Sequence, residues 1–203
     1  MIRILFLAAN PADTSALRLG EEARAIRERL RAAQHRDQFA VEQEWAVRVG
    51  DLQAHLLRHQ PHVVHFSGHS SACGQLVLED STGRSQPVPA DALGQLFATL
   101  KDEIRCVVLN ACFTETQARG IAASIDCVVG MSRAIRDDSA VAFAASFYQA
   151  LAFGRSVQTA FELGCGEIGL AGLADHDVPR LVPADGIDPA SVYLRGVAPE
   201  SPP

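Results

Sequence analysis

Apolar residues in this chain fall into short, nearly unbroken runs, separated by stretches where they recur every three or four positions. The runs at 2–9, 39–47, 62–66, 104–109 and 127–131 read as buried parallel strands, because a strand covered on both faces has no polar side to alternate with. Between them the helical period takes over. Leu19, Ala23, Ile26 and Leu30 form one stripe. A short helix runs through 59, with Asp51 as its N-cap and Pro61 ending it. Further helices are expected over 90–100, 114–124 and 138–153, the last burying Phe143, Phe147 and Leu151. Gly154 closes that helix in a left-handed cap. Ser156 opens another, with Val157, Ala160, Phe161 and Leu163 as its buried side. Segments 75–79 and 86–88 flank the turn Asp80-Ser81-Thr82-Gly83 and predict a β-hairpin. A last short strand is expected at 191–194.

Strand and helix alternate, and no internal repeat appears. The pattern predicts an α/β fold of the doubly wound type, with helices on both faces of a mostly parallel sheet and the hairpin as an insertion. The final stretch, GVAPESPP at 196–203, is polar and proline-rich. It reads as a frayed terminus or a linker to further domains, which leaves 1–195 as one domain.

Composition narrows the function. A chain of 203 residues with 48% hydrophobic content can bury one real core. A formal net charge of −6 removes any general attraction for nucleic acid or an anionic membrane. Arg24 to Arg36 holds five arginines, with Glu28 among them and Glu21 and Glu22 just before, so this reads as a solvated helix face. The opening apolar run reaches Pro11 without a cleavage pattern, and no stretch is long enough to span a bilayer. Five cysteines, an odd number without paired spacing, argue against a disulfide framework and for a reducing cytoplasm with free thiols.

Two reactive side chains stand where ligands gather in open α/β sheets, at the carboxyl ends of strands. His69 follows the run VVHF through Ser67-Gly68. Cys112 follows CVVL through Asn110-Ala111. Thr114 and Gln117 match a capping box, which places Cys112 just ahead of a helix N-terminus, where partial positive charge favours the thiolate. A nearby histidine can act as base and then as acid to the leaving amine. The backbone N–H groups of Ser70 and Cys112 are the candidate oxyanion donors. Against this stands a plainer reading, in which Cys112 is a small buried hydrophobe and His69 a hydrogen-bonded structural residue. Cys106 and Cys127 read as core, Cys165 lies on a helix and Cys73 in a loop. Another alternative is a zinc site from His62, His65, His69 and Cys73. Alternation along the strand sends His62 and His65 to opposite faces, which disfavours it. His65 reads as a core residue or one that supports the site from behind.

These stretches together resemble a CHAT domain, a branch of the caspase-like cysteine peptidases related to metacaspases, gingipains and separase. The resemblance is carried by Gly68-His69 after an apolar strand, by Leu109-Asn110-Ala111-Cys112, by Val129-Gly130-Met131, and by Phe147-Tyr148-Gln149-Ala150-Leu151 with Gly154-Arg155-Ser156-Val157. The opening ILFLAANP with Glu21-Glu22 fits as well, so the likeness runs over about residues 2–195. It implies the three-layer caspase-like fold and a His69–Cys112 dyad that hydrolyses peptide bonds in a protein substrate. It implies no cofactor and no metal in the active site. Members usually carry glycine after the histidine, and Ser70 departs from that. The superfamily's specificity pocket maps to Asn110, with Arg133, Arg136, Asp137 and Asp138 in the following loop as further candidates. The two aspartates read first as helix N-caps. These charges point both ways, and the preferred P1 residue stays open. The resemblance also implies an activating or sensor protein, or a fused domain, in bacterial defence or regulated cell death.

Two other functions remain. A catalytically silent caspase-like module could recruit a protein partner. A nucleotide-binding or NAD-cleaving domain is suggested by LAANPADTS, but no GxGxxG or GxxxxGK[ST] follows the first strand to cradle a phosphate.

Overall fold

Six strands build the central sheet of the computed structural model, which describes residues 1–194. The expected proline-rich tail at 196–203 lies outside the described residues. In chain order the elements are β1 (Ile2–Ala8), α1 (Leu19–Arg31), β2 (Phe39–Trp45), α2 (Leu52–His59), β3 (Val63–Ser67), β4 (His69–Ser70), β5 (Leu76–Glu79), β6 (Ser85–Pro87) and α3 (Ala90–Thr99). They continue with β7 (Cys106–Asn110), α4 (Glu115–Ala122), β8 (Cys127–Met131), α5 (Asp137–Ala152), α6 (Val157–Leu170) and β9 (Pro179–Pro183). The sheet order is β2-β1-β3-β7-β8-β9, parallel except for β9.

Both faces are covered, which is why the strands read as continuous apolar runs. On one face Ile4, Phe6, Val108 and Val129 pack beneath the buried residues of α1, α5 and α6. On the other, Leu5, Leu7, Val64, Phe66, Leu109 and Val128 pack beneath α2, α3 and α4. Every residue of β3, β7 and β8 is buried. The register sets Ser67 beside Ala8 on one side and beside Asn110 on the other, so the carboxyl ends of β1, β3 and β7 finish level. The loops that leave them therefore open on one rim.

The hairpin forms as expected. Asp80 Oδ1 accepts from Thr82 N at 2.7 Å and from Arg84 N at 3.0 Å, and Gly83 takes the left-handed φ of +75° that closes the turn. β4 adds a third, antiparallel strand to it. Gly154 also adopts a left-handed φ, +74°.

Several expectations are corrected. The second strand stops at Trp45 rather than 47, because Ala46 turns to φ +53°. No strand forms at 191–194; only a single bridge joins Ser156 and Tyr193. The sixth strand is instead β9, hidden in the sequence by prolines at both ends. As an edge strand antiparallel to β8 it tolerates them. Leu163 is exposed rather than buried. The buried stripe of α6 runs through Gly164, where a Cβ would meet the Phe143 ring at 2.8 Å. Asp51 stands at the N-cap position of α2, but its side chain makes no capping bond. Arg136, not an aspartate, is the N-cap of α5, with Asp137 and Asp138 in its first turn.

Candidate functional site

Gly68 brings the β3 loop against β1. A Cβ there would sit 2.6 Å from the Ala9 carbonyl oxygen, so only glycine fits between Ser67 and His69. His69 then enters β4, opposite Val77 of the hairpin. Its Nε2–H donates to the Ser15 carbonyl at 2.9 Å. That bond fixes the tautomer and leaves Nδ1 as the lone-pair nitrogen. Ser15 is itself held in place, because its loop is pinned to the hairpin turn by Ala12 N to Gly83 O at 2.9 Å and by Asp13 Oδ1 accepting from Ser85 N at 2.9 Å. The Ser85 hydroxyl and amide hold the Asp13 carboxyl below its usual range.

Ser71 N–H donates to Gln75 O at 2.7 Å. The neighbouring pair, Ser70 and Leu76, is therefore of the non-hydrogen-bonded kind, and the Ser70 amide points away from β5. Leu76 N–H likewise turns outward, to Gln117 Oε1 at 2.8 Å.

Gln117 corrects the expected capping box. Its side chain bridges Leu76 N and the Val88 carbonyl, the latter at 2.9 Å, and so ties α4 to the hairpin instead of reaching back to Thr114. The Thr114 hydroxyl serves strand pairing too: it donates toward the carbonyls of Leu109 (3.0 Å) and Ala111 (2.9 Å) and accepts from Met131 N at 3.0 Å. Both side chains are fully buried, and a buried polar group goes where its partners are.

These ties hold the turn that carries Cys112. Phe113, the next residue, has φ +56°, which is uncommon for a bulky side chain. Gly74 of the hairpin loop approaches so closely that a Cβ would lie 2.3 Å from the Phe113 carbonyl oxygen. Cys112 is half-buried, with Sγ 3.9 Å from the Ile135 carbonyl. Among the described residues its amide donates no hydrogen bond. Three of the other thiols are poor nucleophiles: burial pushes Cys127 up to about 12 and Cys165 up to about 11, and it raises Cys106 well above its ordinary value.

His69, Ser70, Asn110 and Cys112 line one cleft of about 100 Å³, walled by Arg18 and Glu22 of the α1 region and by Ile135, Asp137 and Ala140. Of the specificity candidates, Asn110 and Asp137 line it, whereas Arg133, Arg136 and Asp138 do not. Arg133 pairs with Asp177 at 2.7 Å, Arg136 Nε with Asp175 at 3.0 Å, and Asp138 with Arg18. The cleft's cation, Arg18, is thus turned onto Asp138, with Asp137 3.9 Å away.

The residue that sequence reasoning left unassigned is Glu22. It is 3% exposed and takes hydrogen bonds from His65 Nε2 at 2.8 Å, from the Ser67 hydroxyl and from the Asn110 amide. His65 in turn meets the Tyr148 hydroxyl at 3.0 Å and stacks on Phe6. A signal existed: Glu22 sits inside the stripe Leu19, Ala23, Ile26, and a buried acid demands partners. Asn110 lines the cleft, and among the described residues its buried Oδ1 has no hydrogen-bond partner. The histidines of the alternative zinc set diverge. His62 Nδ1 accepts from Arg3 N at 3.0 Å, His65 turns to Glu22, and His69 to Ser15.

A parallel sheet between two helical layers, with a histidine and a cysteine loop on one rim, defines the caspase-like class. The comparisons agree. A secreted C11 cysteine protease from Bacteroides thetaiotaomicron superposes with TM-score 0.64 at 11% identity, over 89% of this chain and 66% of that one. Caspase-1 from Spodoptera frugiperda superposes with TM-score 0.58 at 11% identity, over 90% and 85%. The family described as CHAT domain matches residues 6–162, and this chain belongs to it. A curated relative named Roc-COR-CHAT protease, from an unknown prokaryotic organism, is 29% identical over 156 residues, which is 73% of this chain and 15% of that protein. The chain therefore spans only a small part of that relative's length. Among the described residues no helix is long and apolar enough to cross a membrane.

Proposed function

We propose that this domain is a cysteine endopeptidase in which His69 and Cys112 form the catalytic dyad. The observation that carries the reading is that both line one cleft, with His69 Nε2–H committed to Ser15 and Nδ1 left to accept a proton. In this scheme Nδ1 takes the thiol proton of Cys112, and the sulfur attacks the scissile carbonyl carbon. The tetrahedral oxyanion accepts hydrogen bonds from the amides of Ser70 and Cys112. His69 returns its proton to the departing amine, and water, activated by the same nitrogen, hydrolyses the thioester.

Two carboxylates, Glu22 and Asp137, line the cleft together with Asn110. Because Arg18 is held by Asp138, outside the lining, the two carboxylates outweigh the one cation, and the pocket favours a P1 side chain that donates hydrogen bonds and carries positive charge. The domain spans residues 1–195 and works in the cytoplasm. The Roc-COR-CHAT name joins a CHAT domain to other modules. By that likeness a sensor protein or fused domain regulates this one, within bacterial defence or cell death.

The test is a peptide library cleaved by the chain alone and with candidate activators, with Cys112→Ala as control. The expected result is cleavage after Arg or Lys that Cys112→Ala loses by roughly 10⁴-fold or more, and Asp137→Asn selectively lowers kcat/KM for those peptides. Cleavage that survives Cys112→Ala overturns the dyad. Silence with every activator, and no labelling of Cys112 by electrophilic peptides, turns the reading to a recruitment module.

A further inference from the structure

Outside the cleft, the edge strand β2 and helix α2 bring together a second cluster. His55 and His59 are one helical turn apart, so they share a face, and their rings lie 6.4 Å apart, 26° from parallel. Glu44, the next-to-last residue of β2, meets both. Its Oε1 lies 2.7 Å from His59 Nε2 and 3.2 Å from His55 Nδ1. None of the three lines the cleft. Among the described residues they are the one group of ligand-type side chains close enough to share an ion, all three ligand atoms lying within 4.8 Å of one another.

We propose that Glu44, His55 and His59 bind a divalent transition-metal ion of the zinc class. The donors are His55 Nδ1, His59 Nε2 and Glu44 Oε1, and water fills the fourth position. Two imidazoles and a carboxylate are the borderline-soft and hard donors that zinc takes, and calcium or magnesium do not select imidazole. Bonds of about 2.0–2.1 Å in a tetrahedron set ligand atoms ~3.3 Å apart, close to the existing separation of Glu44 Oε1 and His55 Nδ1.

A simple ion-pair reading leaves one atom unexplained. His59 is hydrogen-bonded to Glu44. Among the described residues His55 Nδ1 is buried and has no hydrogen-bond partner, although the same carboxylate oxygen is within reach. A cation between them turns that unpartnered nitrogen into a ligand. Arg58, 4.0 Å from Glu44 Oε1, is the competing charge, and its side chain is 70% exposed and free to swing away. The three side chains are only partly exposed, at 16–24%, so the ion would be half-sheltered yet reachable from solvent. Bound there, it staples the edge strand of the sheet to α2.

The experiment titrates Zn²⁺ into chelator-stripped Cys112→Ala protein, a background that removes zinc capture by the cleft thiol. One equivalent is expected to bind and to raise Tm with metal concentration, as mass action requires. Co²⁺ is expected to show ligand-field bands in the visible. His55→Gln and His59→Gln each weaken binding by at least the roughly 10–100-fold that loss of a supporting ligand contact costs. Absence of zinc binding overturns the proposal, as does affinity unchanged in both variants. Should a variant not fold, the Co²⁺ spectrum of the Cys112→Ala protein decides, and no visible bands overturns it.

Discussion

His65 and His69 stand four residues apart on one strand and its loop, yet they occupy opposite kinds of place. His65 is wholly buried, locked between Glu22 and Tyr148 and stacked on Phe6. His69 stands in the cleft wall with one ring nitrogen anchored and the other unassigned. The interior residue has no freedom left, and the rim residue keeps the freedom that proton transfer needs. Glu22 links the two regions. Its carboxylate fills the lower wall of the cleft while gathering the donors of His65, Ser67 and Asn110. A polar knot under the cleft costs desolvation, and it is tolerated because nearly every member finds a partner. Burial, together with the nearby Cys106 and Glu22, pushes the Tyr148 hydroxyl well above its ordinary range, so it stays a neutral hydrogen-bonding group.

The contrast can be broken from either side. His69→Ala is expected to remove at least about 10³-fold of peptidase activity while shifting stability by less than about 0.5 kcal/mol, read by cleavage assays and denaturant melts. Glu22→Ala should do the reverse first. Leaving His65, Ser67 and Asn110 without their acceptor is expected to cost about 3–5 kcal/mol. Similar stabilities for the two variants would dissolve the distinction between rim and interior.

Alkylation sharpens the same comparison among thiols. A cysteine held at about 12 is thiolate in only about one part in 10⁴ at pH 8. Iodoacetamide in the folded protein is thus expected to label Cys112 far faster than Cys127 or Cys106. Mass-spectrometric rates that match for the three would remove the case for an accessible nucleophile.

The smallest effect is one of pH on the loop beneath Cys112. Burial raises the Asp175 pKa, but the Ser139 hydroxyl and the Arg136 side chain and amide outweigh it, and the carboxyl sits below its usual value. A lowered folded pKa gives stability that is present above the unfolded value, about 3.9, and is lost as pH falls through the folded one. Acid melts of Asp175→Asn should therefore depend less on pH below about 4 than those of the parent chain.

Much of the architecture was legible because burial leaves a periodic trace. Runs such as 104–109 and 127–131 announce strands covered on both sides, and Leu19, Ala23, Ile26 and Leu30 announce the inner face of α1. Residues at loop positions were legible by type alone: a glycine before His69, a cysteine after a strand. What periodicity missed were the places where a local rule yielded to a distant partner. Thr114 and Gln117 spell a capping box, yet they serve the strands and hairpin around them. Prolines at both ends disguised β9, whose pairing with β8 is settled only by the edge it occupies. Asp137 and Asp138 read as helix caps and instead hold Arg18.

By itself, then, the order of residues determined most of the secondary elements, their alternation and the family, because these follow from local periodicity and short motifs. Only tertiary structure decided that Glu22 lies under the cleft, that Ser15 orients His69, and that Glu44 meets two histidines of α2. Each of those joins residues far apart in the chain, and no local propensity encodes a distance that exists only after the sheet has closed over its core.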